Sequence, residues 1–436
     1  MRTLAEWLTL QESVHPQTID MGLQRVGAVA RTLGLEHPAS AVLTVGGTNG
    51  KGSVAAHLEA LLTAHGARTG VFTSPHFLRY NERIRVAGRE VSDAALVDAF
   101  ERIEAARGST TLTFFEYNTL AALMVFAAAA IEAAVLEVGL GGRLDATNLI
   151  DADVAVLASV GFDHREYLGD TLELIGAEKA GIFRAQRPAV LGSADMPASV
   201  YAAIAALPAR GVIAGRDFRW QVHPDGSWDY HGLAAELSGL PPSALAGAIQ
   251  YRNAASALAA REALWMSTEL APAAARPVRA LAPLSAARVA QALRAVALPG
   301  RFQVVPGEVE WILDIAHNEP AARVLAAQLV ARALPRPGAR TLAVIGVLRD
   351  KDAAAIAAAL APQVQQWIAC ALPGPRGGSA AQLAARLGLA PAVVTLADSV
   401  RAGCETARAQ ALPGDRVVVC GSLHTVGPAL EWLRIY

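Results

Sequence analysis

The sequence predicts a two-domain α/β protein in which each domain is built on a mainly parallel sheet and the second domain is the smaller one. Three observations carry this prediction. The chain has 436 residues, which exceeds the size at which a single hydrophobic core usually stops growing. Hydrophobic residues make up 53% of the chain and charged residues 18%, a globular composition. Short β-branched runs alternate with longer helical patterns, which is typical of parallel strands joined by crossover helices.

The first part of the chain contains five predicted strands and a helix that joins the first two. Residues 53–65 carry apolar side chains at helical spacing, namely at Val54, Leu58, Leu61 and Leu62. Such spacing indicates a helix with one buried face, so this region is predicted to form a β-loop-α-β unit. The predicted strands are Val42–Val45, Gly70–Thr73, Ala134–Val138, Val154–Ala158 and Ala189–Leu191.

The connection between the two domains is predicted within residues 266–300. This stretch is rich in alanine and proline, and Pro272, Pro277, Pro283 and Pro299 would interrupt any long element. We therefore assign residues 1–296 to the first domain and residues 297–436 to the second. The strands predicted for the second domain are Trp311–Ile315, Leu342–Gly346, Trp367–Ala369, Val393–Leu396 and Arg416–Cys420.

Charge and composition argue against several classes of function. The 38 Lys plus Arg residues nearly balance the 39 Asp plus Glu residues, so no excess positive charge would attract nucleic acid or an acidic membrane. The longest apolar run, residues 120–131, is shorter than the ~20 residues that span a bilayer. The N-terminus lacks the pattern of a secretory signal, and the three cysteines, Cys370, Cys404 and Cys420, form no C-x-x-C pair. A cytoplasmic enzyme is the expectation.

The clearest chemical signal is a glycine-rich segment, residues 46–53, between a predicted strand and a predicted helix. Glycines let backbone N–H groups turn around phosphate oxygens, and the helix N-terminus adds positive potential. Lys51 would reach the terminal phosphates, and Ser53 would contact a metal or a phosphate. The segment departs from the pattern G-x-x-x-x-G-K-[ST] in two ways. Only three residues, instead of four, separate Gly46 from Gly50, and Gly52 lies between Lys51 and Ser53. A plain glycine turn is the alternative, but the strand, lysine and helix together favour a nucleotide site.

Three polar side chains follow predicted strands at the sheet edge where α/β proteins bind ligands. They are Ser74, Glu137 and His164. Glu137 carries most weight, because a carboxylate in an apolar strand is costly to bury without a cation or a hydrogen-bond partner. Mg²⁺ uses only one or two carboxylates beside phosphates and water, so this sparse set suits it. The alternatives are a solvent-facing edge residue for Glu137 and an ordinary loop residue for His164.

Lys179 gives no signal of its own, since a lysine at a helix end is usually solvated. Three segments taken together are more specific: residues 47–53 (GTNGKGS), 137–148 (EVGLGGRLDATN) and 178–183 (EKAGIF). Their combination resembles the folylpolyglutamate synthase and dihydrofolate synthase family, a branch of the Mur-ligase superfamily. The likeness extends from residues 18–22 to residues 421–426. It implies a P-loop-containing, Mur-ligase-like ATPase domain followed by a smaller α/β domain that binds glutamate.

The resemblance implies a role for each matching position. The implied ATP contacts are Thr48, Asn49, Gly50, Lys51, Gly52, Ser53, Asn253, Arg301 and Asp314, and the implied magnesium ligands are Ser74, Glu137 and His164. The implied pterin-binding residues are Asp20, Met21, Gly22, Thr113, Phe114, Phe115, Glu116, Leu144, Asp145 and Ala146. His317 and Ser422 fall in segments that resemble the glutamate-binding region. Lys51, Lys179 and His164 are the implied catalytic residues, and Lys179 matches a lysine that is carbamylated in the family.

The implied reaction is the ATP-dependent addition of L-glutamate to dihydropteroate and to reduced folates through an acyl phosphate. ATP would be the co-substrate, two Mg²⁺ ions would assist, and the enzyme would be a monomer. A ligase that builds cell-wall peptide on a UDP-sugar is the nearest alternative, disfavoured by the pterin-like segments. A nucleotide-binding protein without catalytic activity is the other, disfavoured by the joint presence of Lys51, Glu137 and His164.

Overall fold

The computed structural model describes residues 2–269 and 282–436, and the chain divides into two compact units. Unit 1 contains the described residues up to Ala244 and from Gln250 to Val296. Unit 2 contains Leu245–Ile249 and Ala297–Tyr436. Two of the prolines on which the predicted domain connection rests, Pro272 and Pro277, lie outside the described residues.

Unit 1 alternates strands and helices in the order expected of crossover connections. Its strands are β1 (Ala41–Gly46), β2 (Thr69–Phe72), β3 (Ile84–Val86), β4 (Arg89–Glu90), β5 (Ala133–Glu137), β6 (Val154–Leu157), β7 (Pro188–Leu191), β8 (Arg210–Ile213), β9 (Arg219–Val222), β10 (Trp228–His231) and β11 (Glu236–Leu240). Its helices are α1 (Leu4–Val14), α2 (Gln24–Leu33), α3 (Lys51–Ala64), α4 (Asp93–Arg107), α5 (Phe114–Ala128), α6 (Arg165–Leu168), α7 (Leu172–Ala180), α8 (Ala198–Ala206), α9 (Ile249–Glu269) and α10 (Ala286–Ala295).

The main sheet of unit 1 has the strand order β4-β3-β2-β5-β1-β6-β7-β8. The six neighbouring strands β2, β5, β1, β6, β7 and β8 pair in parallel. Strands β3 and β4 are added antiparallel at the β2 edge. The five strands predicted from the sequence correspond to β1, β2, β5, β6 and β7, with ends that differ by at most one residue. The prediction of a mainly parallel α/β sheet is confirmed.

Helices cover both faces of this sheet. The central strands are consequently buried on both sides, which is why their sequences are continuous apolar runs. One apolar core lies between the sheet and α3, α9 and α10. A second core lies on the opposite face, where α1, α2, α4 and α5 pack. Burial of both faces leaves the carboxyl ends of the strands as the edge where functional side chains collect.

A small antiparallel sheet of order β11-β10-β9 was not among the predicted elements. Its strands are short, and most residues of β9 and β11 are exposed. These strands therefore lack the apolar runs from which the parallel strands were predicted. Trp228 and Tyr230, both on its central strand β10, are fully buried. The Tyr230 hydroxyl and the backbone N–H groups of residues 233–235 donate to the buried carboxylate of Glu262, which fastens this sheet to α9.

Unit 2 is a second α/β body with a six-stranded sheet of order β12-β13-β17-β14-β15-β16. Its strands are β12 (Gln303–Val305), β13 (Glu310–Leu313), β14 (Thr341–Ile345), β15 (Gln366–Cys370), β16 (Val394–Ala397) and β17 (Arg416–Cys420). Its helices are α11 (Glu319–Ala331), α12 (Ala353–Leu360), α13 (Ala380–Leu387), α14 (Val400–Gln410) and α15 (Leu423–Leu433). All pairs are parallel except the one between β12 and β13.

Residues 120–128 of the longest apolar run lie in α5, which is 15 residues long and packs in the second core. Among the described residues, the chain has no helix whose length and apolar character would let it cross a membrane. Cys370, Cys404 and Cys420 are buried and unpaired.

Candidate active site

The predicted phosphate-loop and metal-site residues of unit 1 lie at or just after the ends of four strands that are neighbours in the sheet, in the order β2-β5-β1-β6. Ser74 follows β2, Glu137 ends β5, the glycine-rich loop follows β1, and His164 lies in the loop after β6. Because these strands are parallel, their carboxyl ends meet at one edge. The fold therefore brings together residues that are up to 117 positions apart in the sequence, from Gly47 to His164.

The glycine-rich loop connects β1 to α3 and presents the start of that helix. Gly47 and Gly50 have φ angles of 144° and 88°, which a side chain would disfavour. At Gly47 a Cβ would also lie 3.1 Å from the backbone nitrogen of Ser159. Helix α3 has no side-chain cap at Gly50, so its first N–H groups are available to an anion. The Lys51 Nζ donates to the carbonyls of Gly47 and Thr48 at 3.0 and 3.3 Å.

The segment after β6 is hydrogen-bonded to the glycine-rich loop along its length. The Thr48 N–H donates to the Ser159 carbonyl at 2.9 Å, and the Asn49 N–H donates to the Ser159 Oγ at 3.0 Å. That hydroxyl in turn donates to the Asn49 carbonyl at 2.9 Å. The Thr48 Oγ1 donates to the Gly161 carbonyl and accepts from its N–H. The loop is thus fixed to the segment that leads to His164.

Glu137 is a buried carboxylate at the end of a central strand, with 5% of its surface exposed. Its Oε2 accepts from the backbone N–H of Ser74 at 3.1 Å. Ser74 and His164 line the same pocket, and His164 adopts a left-handed backbone conformation at the start of α6. The described residues contain no group of three His, Cys, Asp or Glu side chains arranged to hold a metal. One carboxylate with a hydroxyl and an imidazole nevertheless fits Mg²⁺, which keeps several waters and phosphate oxygens.

Lys179 is buried in the last turn of α7, with 5% of its surface exposed. Its Nζ donates to the Gly47 carbonyl at 3.3 Å, the same oxygen that accepts from Lys51. Burial, reinforced by the positive charge of Lys51, lowers the pKa of Lys179 to about 7. A large part of this amine is therefore neutral near neutral pH, which a solvated helix-end lysine would not be.

A pocket of about 260 Å³ lies beside this edge in unit 1. Every residue that the resemblance implies for the pterin lines it, namely Asp20, Met21, Gly22, Thr113, Phe114, Phe115, Glu116, Leu144, Asp145 and Ala146. Ser74 and His164 also line it, so the pocket extends to two of the candidate metal ligands. Its mixture of aromatic and aliphatic walls with a few polar groups suits a flat heteroaromatic ligand.

The predicted nucleotide contacts are divided between the two units. Asn253 is buried at the start of α9, and a Cβ at Gly50 would lie 3.1 Å from its Oδ1, so its side chain contacts the glycine-rich loop. Arg301 and Asp314 lie in unit 2. The Asp314 carboxylate accepts from the N–H groups of Phe302 and Ala316 at 2.9 Å each. Burial raises the pKa of Asp314, and the nearby Arg301 opposes that rise.

The two residues predicted for glutamate follow neighbouring strands of unit 2, β13 and β17. His317 lies four residues after β13, and its neighbour Asn318 caps α11. Ser422 is the N-cap of α15, and its Oγ accepts from the His424 N–H at 3.1 Å. The parallel pairing of β13 and β17 places both segments at the carboxyl edge of the sheet.

Four residues of this region were not predicted from the sequence. Arg83 lines the pocket, and its guanidinium lies over the ring of Phe114. His15 and Arg25 contact Asp20, and Ser159 holds the glycine-rich loop. Arg83 shares a loop with Ser74, which is a signal that could have been used. The other three act through contacts that only the fold reveals.

Comparison with known proteins gives the same picture for nearly the whole chain. Two protein-family models match, described as "Mur ligase middle domain" over residues 45–213 and "Mur ligase, glutamate ligase domain" over residues 300–423. The dihydrofolate synthase/folylpolyglutamate synthase of Escherichia coli (strain K12) is 42% identical over 429 residues, which cover 98% of this chain and 95% of that protein.

Solved structures agree with the sequence comparison. A structure of E. coli FolC in complex with DHPP and ADP has a TM-score of 0.90 at 42% identity and covers 99% of this chain and 98% of its own. A structure of a bifunctional folylpolyglutamate synthase/dihydrofolate synthase with Mn, AMPPNP and L-glutamate bound has a TM-score of 0.88 at 40% identity, with 100% and 99% covered. The family resemblance inferred from the motifs is confirmed. This chain belongs to the dihydrofolate synthase/folylpolyglutamate synthase family of Mur ligases.

Proposed function

We propose that the protein is an ATP-dependent ligase that adds L-glutamate to dihydropteroate and to folates. The observation that carries this proposal is the joint placement of the glycine-rich loop, the buried Glu137 and an apolar pocket at one sheet edge. The relatives support it, since one was solved with DHPP and ADP and another with AMPPNP, manganese and L-glutamate. ATP and Mg²⁺ are the co-substrate and the metal of this reaction.

The chemistry explains why ATP is consumed. A carboxylate does not condense with an amine in water, because its oxygen is a poor leaving group. Its attack on the γ-phosphate of ATP gives an acyl phosphate and ADP, and attack by the amine of glutamate then gives the amide and phosphate. Lys51 and the first N–H groups of α3 would stabilise the charge on the phosphoryl oxygens. The pocket would hold the acceptor so that its carboxylate meets the nucleotide.

We assign Ser74, Glu137 and His164 to the metal site, because Glu137 contacts Ser74, Ser74 and His164 line one pocket, and the three offer donors that suit Mg²⁺. A bound divalent cation would supply positive charge to the phosphate oxygens during transfer. Glu137 would hold that cation from the end of β5. The single carboxylate leaves room for the phosphate oxygens to complete the coordination.

We propose that Lys179 reacts with CO₂ in this protein. A bond forms between Nζ and the carbon of CO₂, and the amine loses a proton, which converts a cation into an anionic carbamate. The lowered pKa of about 7 supports this step, since only the neutral amine is nucleophilic. An anion at this position would also attract the Lys51 ammonium, which contacts the same Gly47 carbonyl as the Lys179 Nζ.

The carbamate predicts a specific signal. Protein equilibrated with ¹³C-bicarbonate should show a carbamate carbon resonance that weakens as the pH falls below about 7, because the ammonium form does not react. Lys179→Met should remove the resonance, and Lys351→Met should leave it. A resonance that survives Lys179→Met would refute the assignment.

We further propose that residues 1–296 bind ATP and the pterin and that residues 297–436 supply Arg301 and Asp314 to the nucleotide and His317 and Ser422 to glutamate. The protein is proposed to act as a monomer in the cytoplasm. The unpaired cysteines support a reducing compartment. Size-exclusion chromatography with light scattering measures the molar mass in solution, which should be that of one chain, 45.4 kDa.

The test of the function is product formation with purified protein. With ATP, Mg²⁺ and L-glutamate, dihydropteroate and a reduced folate should each yield ADP and a product heavier by one glutamyl residue in mass spectrometry. Activity with a UDP-linked muramyl acceptor and none with either pteridine would favour the cell-wall ligase instead. Absence of ADP release with every acceptor would favour a binding protein without catalysis.

A further inference from the structure

Three carboxylates line the pocket, and two of them are fully engaged by the protein itself. Asp145 accepts hydrogen bonds from the N–H groups of Gly139, Leu140 and Thr147 and from the Thr147 hydroxyl, so both of its oxygens are used. The Glu116 Oε2 accepts from the Thr113 N–H at 2.7 Å. Its Oε1 lies 3.2 Å from a guanidinium nitrogen of Arg25. Every oxygen of these two carboxylates already accepts at least one hydrogen bond from the protein.

Asp20 is the exception among them. Its Oδ2 receives the His15 Nε2 at 3.1 Å and the Arg25 guanidinium at 2.6 Å. Its Oδ1 accepts no hydrogen bond from residues 2–269 or 282–436. With 32% of its side chain exposed, Asp20 is the pocket carboxylate that retains an oxygen for a ligand.

His15 and Arg25 reach Asp20 from outside the pocket, since neither lines it. The His15 side chain is 8% exposed, and its Nδ1 is 2.9 Å from the Thr111 Oγ1. With the Thr111 hydroxyl donating to Nδ1, the Nε2–H donates to Asp20. Arg25 also donates to the Asp20 carbonyl at 2.8 Å. Asp20 is therefore fixed at its carboxylate and at its backbone.

We propose that His15 and Arg25 are positioning residues that orient Asp20 so that its Oδ1 accepts from paired N–H donors of the acceptor substrate. The matching chemistry is the 2-amino-4-oxo edge of a pteridine, which presents two neighbouring N–H groups. By holding Oδ2, the two residues leave Oδ1 as the acceptor. This inference rests on the proposed function, because it assumes a pteridine in the pocket.

The proposal predicts a selective loss of acceptor affinity. One hydrogen bond to a charged group contributes about 1.5 kcal/mol or more, which corresponds to roughly tenfold in affinity. His15→Ala should therefore raise the dissociation constant for dihydropteroate about fivefold to tenfold. His15→Gln should recover part of the affinity, because its amide nitrogen can donate from the position of Nε2. Nucleotide affinity should not change in either variant.

The experiment is a fluorescence titration of dihydropteroate against full-length protein without ATP, beside calorimetry with AMPPNP and Mg²⁺. His223→Ala is the matched control, because His223 makes the same kind of contact to Asp229 at 3.0 Å on the small antiparallel sheet. Thermal melting establishes that each variant is folded. If His15→Ala does not fold, the comparison of His15→Gln with the native protein, which should differ about twofold to threefold in acceptor affinity, carries the test.

Weaker acceptor binding in the His15 variants, with unchanged nucleotide binding and an unaffected His223→Ala control, would support the proposal. Unchanged acceptor binding in both folded His15 variants would overturn it and leave the proposed function standing. Equal loss of acceptor and nucleotide binding would also overturn it, since it would indicate a general structural role. Failure of the native protein to bind any pteridine would overturn the proposed function and this inference together.

Discussion

Lys51→Ala is expected to lower the turnover number about a hundredfold to a thousandfold, the range found when one preorganised charge-stabilising donor is removed from a transition state. The reason is its position. The ammonium lies within the glycine-rich loop, 3.0 Å from the Gly47 carbonyl, at the start of α3. No acidic partner of Lys51 lies in the part of the chain that the structure describes, so the substitution removes two hydrogen bonds to loop carbonyls but breaks no ion pair. The measurement is ADP release with saturating dihydropteroate, glutamate and Mg²⁺.

The control for this variant is Arg31→Ala, which removes an exposed cation from the last turn of α2. It should have turnover within about twofold of the native protein, as surface substitutions usually do. Near-normal ADP release by Lys51→Ala would remove the lysine from the phosphate site.

Glu137→Gln should have the second large effect, through the metal. Glutamine keeps the shape of the side chain and removes the charge that would hold a cation at the end of β5. Loss of one ligand or its support typically costs 10- to 100-fold in metal affinity or activity, so we expect the Mg²⁺ concentration for half-maximal rate to rise by about that factor. A Mg²⁺ titration of the rate at fixed ATP measures it.

Glu132→Gln provides a matched control at the opposite end of the same strand. Glu132 precedes β5, and its carboxylate accepts from the Arg68 N–H at 2.8 Å, remote from the strand's carboxyl end. Its Mg²⁺ titration should match that of the native protein. If Glu137→Gln also matched, Glu137 would have no part in the metal site, and its burial would need another explanation.

The parts of the site that the sequence predicted are those in which local pattern and chemistry coincide. The glycine-rich loop could be predicted because its glycines, Lys51 and the following helix are consecutive in the sequence. Glu137 was conspicuous because a carboxylate interrupts an apolar strand. The parallel pairing of β2, β5, β1 and β6 then places these residues together without further assumption, since the carboxyl ends of parallel strands share an edge.

The parts that were missed depend on contacts between distant segments. The sequence gives Ser159 no distinction, yet its hydroxyl and backbone carbonyl bind the loop 110 residues away. Arg25 forms a hydrogen bond with Glu116, 91 residues away in the sequence, and His15 forms one with Thr111, 96 residues away. The low pKa of Lys179 likewise follows from burial beside Lys51, which the helix pattern around it did not indicate. The strands of the small antiparallel sheet lacked the apolar runs by which the others were recognised.

The central claim is that the glycine-rich loop of unit 1 binds the triphosphate of ATP together with a divalent cation. Isothermal titration calorimetry of the folded, full-length protein with AMPPNP tests it most directly. We predict saturable heat that corresponds to one site, with affinity that falls when Mg²⁺ is removed. No heat from the nucleotide in the presence of Mg²⁺, from protein shown to be folded by its melting transition, would contradict the account.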